Sequence, residues 1–246
     1  GVLTNREYCP IPRGWTIFER LKLRFDPANV ATAFLSGKRE NIGIRGPHEI
    51  CINALSRDPV THQSTRYLRK ELFNGLTQGG APPVWVKREG EPFHLSAQAM
   101  DVRVDSLGGA AQVVRAAERT LQAWDGGRFF AFVHFDEPDK NGHKHGEASR
   151  EYDEGIVAAD LWLGRLREWL DMVGLSSSTV VYVTTDHGMD VGSHQHDAAP
   201  DSFLAAGSGR RLRAGDRKDV AATLYEEFGL GQAWDPPLDG RSLLRP

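Results

Sequence analysis

Residues 129–145 have the sequence FFAFVHFDEPDKNGHKH, and residues 180–190 have the sequence VVYVTTDHGMD. Each stretch begins with a continuous apolar run of strand length, and each run leads directly into aspartate and histidine. Residues 149–173, which lie between them, are predicted to form a helix. Near-continuous apolar strands joined by a long helix are what a parallel sheet covered on both faces requires. The two stretches therefore predict an α/β fold with a mostly parallel sheet between layers of helices.

The flanking sequence continues this alternation of strands and helices. Residues 30–35 form another apolar run, and residues 109–124 carry apolar side chains at helical spacing. Near the start of the chain, Thr16 and Glu19 stand at the spacing of a capping box, which predicts the beginning of a helix. Residues 80–105 are richer in proline and short β-like runs, and they are predicted to be a small irregular cap or insertion.

Length, charge and cysteine content exclude several classes of protein. The chain has 246 residues and is 40% hydrophobic, so residues 1–246 can form one large globular domain or a domain with an insertion. A net charge of −3 gives no electrostatic reason to expect a nucleic-acid polymer as partner. No apolar run reaches the roughly 18 residues needed to span a membrane. Cys9 and Cys51 form no CxxC motif, so neither a disulfide framework nor a thiolate metal site is indicated.

Histidine and aspartate are concentrated where the predicted strands end. Six of the nine histidines lie between His134 and His196. Imidazole and carboxylate groups bind divalent transition metals, and ligands of open α/β sheets bind beyond the carboxyl ends of the strands. Taken singly, an aspartate four residues before a histidine, or an Asp-His pair after a strand, is an ordinary structural feature. The conjunction of three such motifs at predicted strand ends favours a metal site.

These motifs resemble those of a known enzyme family. The segment EPDKNGHKHG at 137–146 is similar to the acid-x-x-Gly-His-x-x-Gly loop of the type I phosphodiesterase and nucleotide pyrophosphatase branch of the alkaline phosphatase superfamily. TTDHGM at 184–189 resembles the Asp-His-Gly-Met element of that superfamily, and GSHQHD at 192–197 resembles its late histidine loop. Weaker parallels are TAFLSGK at 32–38 and DVAATLYEEFGL at 219–230. The resemblance implies an alkaline phosphatase-like fold.

The resemblance also implies two divalent metal ions. Asp139, His143 and His194 would hold one ion. Asp186 and His187 would supply part of the second site. Histidine and carboxylate ligands suit Zn²⁺ or Mn²⁺ better than Ca²⁺ or Mg²⁺, so zinc is favoured, with manganese as the alternative.

Several neighbouring residues leave alternatives open. His145 and His196 each stand two positions from an expected ligand, and a shift of register would let either bind metal; His196 is the preferred alternative. His134 lies inside an apolar run and is expected to be a core residue or to support the ligands from behind. Asp136 and Glu137 could orient ligand imidazoles.

The amino-terminal segment GVLTN at 1–5 resembles a Gly-x-x-x-Asn segment of the family. By this resemblance, the amide of Asn5 would donate a hydrogen bond to a non-bridging phosphate oxygen. The family's remaining metal-binding aspartate and its Thr or Ser nucleophile precede this segment, and Thr4 does not match the nucleophile position. The chain is therefore expected to be the carboxyl-terminal part of a catalytic domain, lacking its first strand and nucleophile segment and inactive alone.

The sequence thus predicts a metal-dependent hydrolase that acts on small phosphate esters, with phosphodiesters or nucleotide-like molecules favoured. The alternatives are a phosphatase, phosphonate hydrolase or sulfatase on the same scaffold, or a noncatalytic metal-binding domain. Residues 40–105 are expected to contribute to substrate choice. The family resemblance further implies a periplasmic or secreted protein.

Overall fold

The structure is a computed structural model that describes residues 16–38, 48–51, 54–57, 64–67, 85–88, 99–124, 126–199, 201–207, 209–231 and 238–244. The chain divides into two compact units. The first unit comprises Gly1–Thr32 with Arg39–Asp101, and the second comprises Ala33–Lys38 with Val102–Pro246. Every expected metal ligand belongs to the second unit, whereas Asn5 lies outside the described residues.

The first unit contains helix α1 (Ile17–Arg24) and four short strands: β2 (His48–Cys51), β3 (Ala54–Arg57), β4 (Ser64–Tyr67) and β5 (Trp85–Arg88). The expected capping box is confirmed, because the Thr16 side chain accepts from the Glu19 backbone N–H while the Glu19 carboxylate accepts from the Thr16 backbone N–H. Strand β2 pairs antiparallel with β5, and β3 pairs antiparallel with β4. Most of 80–105 lies outside the described residues, so the cap at these residues stays a prediction.

The second unit is built on a three-stranded sheet. Its strands are β1 (Val30–Ser36, which begins in the first unit), β6 (Val102–Val104) and β7 (Arg128–His134), in the order β6–β1–β7. Strands β1 and β6 are parallel. The helices of this unit are α2 (Ala110–Gln122), α3 (Glu137–His145), α4 (Arg150–Met172) and α5 (Lys218–Glu227). The α/β class is confirmed.

The strand before the second expected metal motif differs from expectation. Strand β8 (Tyr182–Thr184) pairs antiparallel with β9 (Leu204–Ala206), and within the described residues these two strands form a sheet of their own. The reason lies in the sequence after the histidine loop, where a second short apolar run follows closely enough to return beside β8. The loop that contains residues 192–197, which we call the histidine loop, therefore connects two strands that pair with each other.

The core of the second unit packs the sheet against helices α2 and α4. Strand β1 is buried along nearly its whole length, as expected for a strand covered on both faces. The buried cluster consists of Ala33, Leu35, Val113, Val114, Ala116, Ala117 and Leu166. Burying a side chain of the size of Leu35 or Val113 contributes roughly 1.5–3 kcal/mol each. This packing fixes the carboxyl end of β1 at Ser36. Gly37 and Lys38 follow directly, beside the residues of the metal motifs. Among the described helices, none has the length and apolar character needed to cross a bilayer.

Candidate metal centre

Helix α3 brings Asp139 and His143 onto one face. The two residues are four positions apart, and residues at this spacing are neighbours on a helix surface. The Nε2 atom of His143 lies 3.3 Å from Oδ1 of Asp139. The helix ends at Gly146, whose φ of 94° is accessible to glycine at little cost. Asp139 and His143, which were expected to bind the same ion, therefore lie side by side.

The third member of the cluster is His196. Its Nε2 atom lies 3.9 Å from Oδ1 of Asp139, and its ring centroid lies 4.9 Å from that of His143. One ligand atom from each of Asp139, His143 and His196 can be chosen so that all three lie within 4.8 Å of one another. We call these three residues the first group.

The structure places His194 elsewhere. Its Nδ1 atom lies 3.1 Å from the carbonyl oxygen of His143, and Nδ1 of His143 lies 2.7 Å from the carbonyl oxygen of His194. The two residues therefore join helix α3 to the histidine loop through a reciprocal pair of hydrogen bonds. The structure thus brings together two of the three residues expected for the first ion and adds the preferred alternative, His196.

These hydrogen bonds determine which nitrogen of His143 carries a proton. A carbonyl oxygen only accepts, so Nδ1 of His143 must donate to His194. In the neutral ring, Nε2 then has a lone pair directed at Asp139 Oδ1. That oxygen is buried, and no donor among the described residues forms a hydrogen bond to it. Two acceptors face each other at 3.3 Å, and a cation between them would relieve the repulsion.

This arrangement fits a metal ion. Ligand histidines typically donate their other ring N–H to a carbonyl or carboxylate, as His143 does here. A donor set of one carboxylate and two imidazoles suits zinc and similar transition metals. The residues of the first group thus have the chemistry of a metal-binding set.

Asp139 is held by a lysine that the sequence did not single out as functional. The Nζ atom of Lys38 lies 3.0 Å from Oδ2 of Asp139, across 101 residues of sequence. Burial by itself would raise the pKa of the Asp139 carboxyl. The hydrogen bond and the positive charge of Lys38 oppose this, and the pKa falls below its ordinary value. Asp139 is thus kept ionised, as a metal ligand must be.

Asp186 and His187 follow β8 and form what we call the second group. Nε2 of His187 lies 3.4 Å from Oδ2 of Asp186. Nδ1 of His187 donates to the carbonyl of Gly188 at 2.9 Å, which leaves the Nε2 lone pair free in the neutral ring. The Asp186 side chain is 84% exposed and that of His187 only 19%. The structure therefore brings these two residues together as expected.

His196, a member of the first group, also contacts the second group. Its ring stacks on that of His187, with centroids 3.7 Å apart and planes inclined by 17°. Because the same ring also lies beside His143, the imidazoles of both groups form one continuous assembly. The guanidinium of Arg217 donates to the carbonyl of Asp186, so an arginine from the start of α5 also reaches the second group.

The histidine loop is fixed by polar contacts that the sequence analysis missed. The Asp190 backbone N–H donates to the Gln195 carbonyl at 2.9 Å, and Oδ1 of Asp190 accepts from the Ala198 N–H at 3.0 Å. The Glu147 carboxylate accepts from the N–H of Gly192 at 2.8 Å. An aspartate two residues before a glycine is a turn signal that could have identified this loop.

His134 and Glu137, which were also considered from the sequence, contact residues outside the first and second groups. His134 lies at the end of β7, with Nδ1 3.1 Å from the Ser36 hydroxyl. Burial lowers the pKa of His134; Asp136 and Asp186 oppose this lowering. The Glu137 carboxylate accepts a hydrogen bond from the Ala110 N–H at the beginning of α2. Glu137 thus connects two helices.

The remaining alternative for the first ion, His145, points to another partner. Its Nδ1 atom lies 4.0 Å from a carboxylate oxygen of Glu151 on α4. His145 is not part of the cluster that could hold a metal among the described residues.

Comparison with known proteins matches this chain to one enzyme family and to individual proteins with related names. The family described as type I phosphodiesterase / nucleotide pyrophosphatase matches residues 47–227, which is more than half of the chain. Ectonucleotide pyrophosphatase/phosphodiesterase family member 1 of Mus musculus is 28% identical over 151 residues, covering 55% of this chain and 17% of that protein. Bis(5'-adenosyl)-triphosphatase ENPP4 of Homo sapiens is 38% identical over 61 residues, covering 24% of this chain and 14% of that protein.

A solved structure, described as BT4656 in complex with its substrate D-glucosamine-2-N,6-O-disulfate, is 12% identical. It aligns with a TM-score of 0.47 over 92% of this chain and 63% of that one. The matched regions span less than a fifth of the length of the mouse and human relatives named above.

Proposed function

Because the chain belongs to the type I phosphodiesterase / nucleotide pyrophosphatase family, we propose that it functions in a metal-dependent hydrolase of phosphate esters. The favoured substrates are small phosphodiesters or nucleotide-like molecules, in keeping with the names of its relatives. The observation that carries the proposal is the first group, in which two imidazole nitrogens lie near a buried carboxylate oxygen that accepts no hydrogen bond from the described part of the chain.

We propose two divalent ions, with Zn²⁺ favoured and Mn²⁺ as the alternative. The first would be held by Asp139, His143 and one further histidine. The geometry favours His196 and the family motif favours His194. Asp186 and His187 would contribute to the second. When bound, such ions supply Lewis-acid stabilisation of charge on phosphoryl oxygens.

The residues of the chain contribute orientation and charge. The carbonyls of His194 and Gly188 fix the tautomers of His143 and His187, so that both rings direct a lone pair towards a carboxylate. The hydrogen bond and charge of Lys38 favour the ionised form of Asp139. We propose in addition that Asn5, outside the described residues, donates to a non-bridging phosphate oxygen.

Hydrolysis of chromogenic esters by the natural protein that contains this chain tests the proposal. Bis(p-nitrophenyl) phosphate, p-nitrophenyl phosphate and p-nitrophenyl sulfate should be compared after chelation and after return of Zn²⁺. We expect zinc-dependent hydrolysis that is fastest with the diester. Hydrolysis that survives complete chelation would contradict the metal requirement, and preferential cleavage of the sulfate would favour the alternative of a sulfatase.

A protein that binds zinc stoichiometrically but cleaves none of these esters, nor dinucleotides, would favour the noncatalytic alternative. The mouse relative carries the prefix "ecto" in its name, and we propose that this protein is likewise exported. Recovery of the protein solely from the cytoplasmic fraction of its source cells would contradict export.

A further inference from the structure

Lys38 is placed by a rigid turn at the end of β1. The Lys38 N–H donates to the Ser36 hydroxyl at 3.1 Å, and that hydroxyl lies 2.8 Å from the Lys38 carbonyl. The Gly37 N–H donates to the carbonyl of His134 on the neighbouring strand. A side chain at position 37 would collide with the Gly108 carbonyl and would lie 2.7 Å from Asp136 Oδ1. The turn is therefore locked against β7.

The two oxygens of Asp139 have different partners. Oδ2 accepts the Lys38 ammonium at 3.0 Å. Oδ1 faces Nε2 of His143 at 3.3 Å and Nε2 of His196 at 3.9 Å. The lysine side chain is 42% exposed, whereas the aspartate side chain is 26% exposed. One oxygen is thus occupied by a charge-assisted hydrogen bond, and the other is directed at the imidazoles.

We propose that Lys38 is a positioning residue that restricts Asp139 to binding the first metal ion through one oxygen. The inference rests on the proposed metal site. It specifies that the Asp139 carboxylate makes one bond to the ion there, not two. Carboxylates bind metal through one or both oxygens. A carboxylate that binds through both fills a coordination position that a catalytic site keeps open for substrate.

Lys38 therefore preserves the open position. Substitution Lys38→Met keeps an unbranched side chain that is one heavy atom shorter, and it removes both the charge and the donor. Oδ2 then becomes free to join Oδ1 on the ion. Lys38→Arg retains a cationic donor and serves as the rescue variant, because a guanidinium can also hold a carboxylate oxygen.

The test is X-ray absorption at the metal edge, with Zn²⁺ as the probe. Each Lys38 variant is made in the Asp186→Ala background, in the natural protein, so that one ion at the first group dominates the signal. We expect Lys38→Met to add one oxygen to the ligand shell of zinc, and Lys38→Arg to show the ligand number of the parent. In the otherwise natural sequence, Lys38→Met should lower kcat by about 10-fold, the lower end of the effect of altering a ligand's hydrogen-bond partner.

An unchanged ligand number in Lys38→Met would overturn the proposal. A Lys38→Met protein whose only defect is a raised KM would also overturn the proposal, because that result would assign Lys38 to direct contact with substrate. Failure of the parent to bind zinc at all would instead overturn the proposed metal site, and the role of Lys38 with it. The two failures are distinguished by whether zinc is present in the parent.

Discussion

The first group and the second group use the same two residue types in different surroundings. Asp139 is largely buried, is held by Lys38 and shares its free oxygen with two histidines. Asp186 is 84% exposed and has one histidine beside it, the adjacent His187. The first group draws its residues from two separate parts of the chain, helix α3 and the histidine loop, whereas the second comes from two consecutive residues. Tertiary packing brings a third donor, His196, to the first group. Two adjacent residues by themselves offer only two donors.

The largest expected effect separates the two groups directly. Asp139→Ala should lower zinc affinity at the first group by about 100-fold or more, because loss of a ligand exceeds the 10- to 100-fold cost of losing a ligand's partner. Asp186→Ala should reduce the number of bound ions while leaving the tighter site intact. Competition with a chelating dye measures both.

The control is Asp160→Ala, which removes an exposed aspartate from α4. It should change neither affinity nor the number of ions. Equal losses from Asp139→Ala and Asp186→Ala would show that the two groups form a single site, and the comparison would fail.

A second prediction concerns the histidine that completes the first group. His196→Ala should lower zinc affinity by about 100-fold, because its Nε2 faces Asp139 as a ligand and its ring supports that of His187. His194→Ala removes a ring whose contact in the structure is a backbone carbonyl, and it should have a smaller effect. Zinc titration of both variants decides between the geometry and the family motif. A larger loss in His194→Ala would restore the ligand set expected from the sequence.

A third prediction tests the support of the first group. Gly37→Ala should lower the free energy of unfolding by about 1–3 kcal/mol, because the added methyl group meets the Gly108 carbonyl and Asp136. The matched control is Gly164→Ala in α4, where the methyl group would meet no atom within 4 Å. That change should raise the free energy of unfolding by up to about 1 kcal/mol, since alanine favours a helix.

Urea denaturation followed by circular dichroism measures both glycine variants. Opposite signs are expected for the two substitutions. A Gly37→Ala protein as stable as the parent would show that the turn before Lys38 can shift, and it would weaken the contrast between a rigid first group and an exposed second group.

The smallest expected effect lies at the second group. Arg217→Met removes the donor to the Asp186 carbonyl, and exposed hydrogen bonds of this kind contribute about 0.5–1.5 kcal/mol. The variant should lose at most this much in free energy of unfolding and should bind zinc at the first group as the parent does. A clear loss of zinc at the first group would show that the two groups are coupled through His187 and His196.

Much of the fold was predictable because it rests on local patterns. The Thr16 and Glu19 capping box and the buried strand β1 were expected from spacing and composition, and both are present. The pairing of β8 was not, since the partner of a three-residue strand depends on which other strand edge is available. Most of the expected cap at 80–105 and Asn5 lie outside the described residues and stay predictions.

The sequence by itself determined the chemistry of the donors. The segment of Asp139 and His143 was expected to be a loop, and its folding as helix α3 places the two residues on one face. An Asp-His pair after a strand must lie at its end. Only the tertiary structure decided which distant residues join them. His196 reaches Asp139 because the hydrogen bonds of Asp190 shape the loop, and Lys38 reaches it from 101 residues away because β1 lies beside β7. Spacing fixes neighbours within an element, whereas contacts between elements depend on how strands pair and loops close.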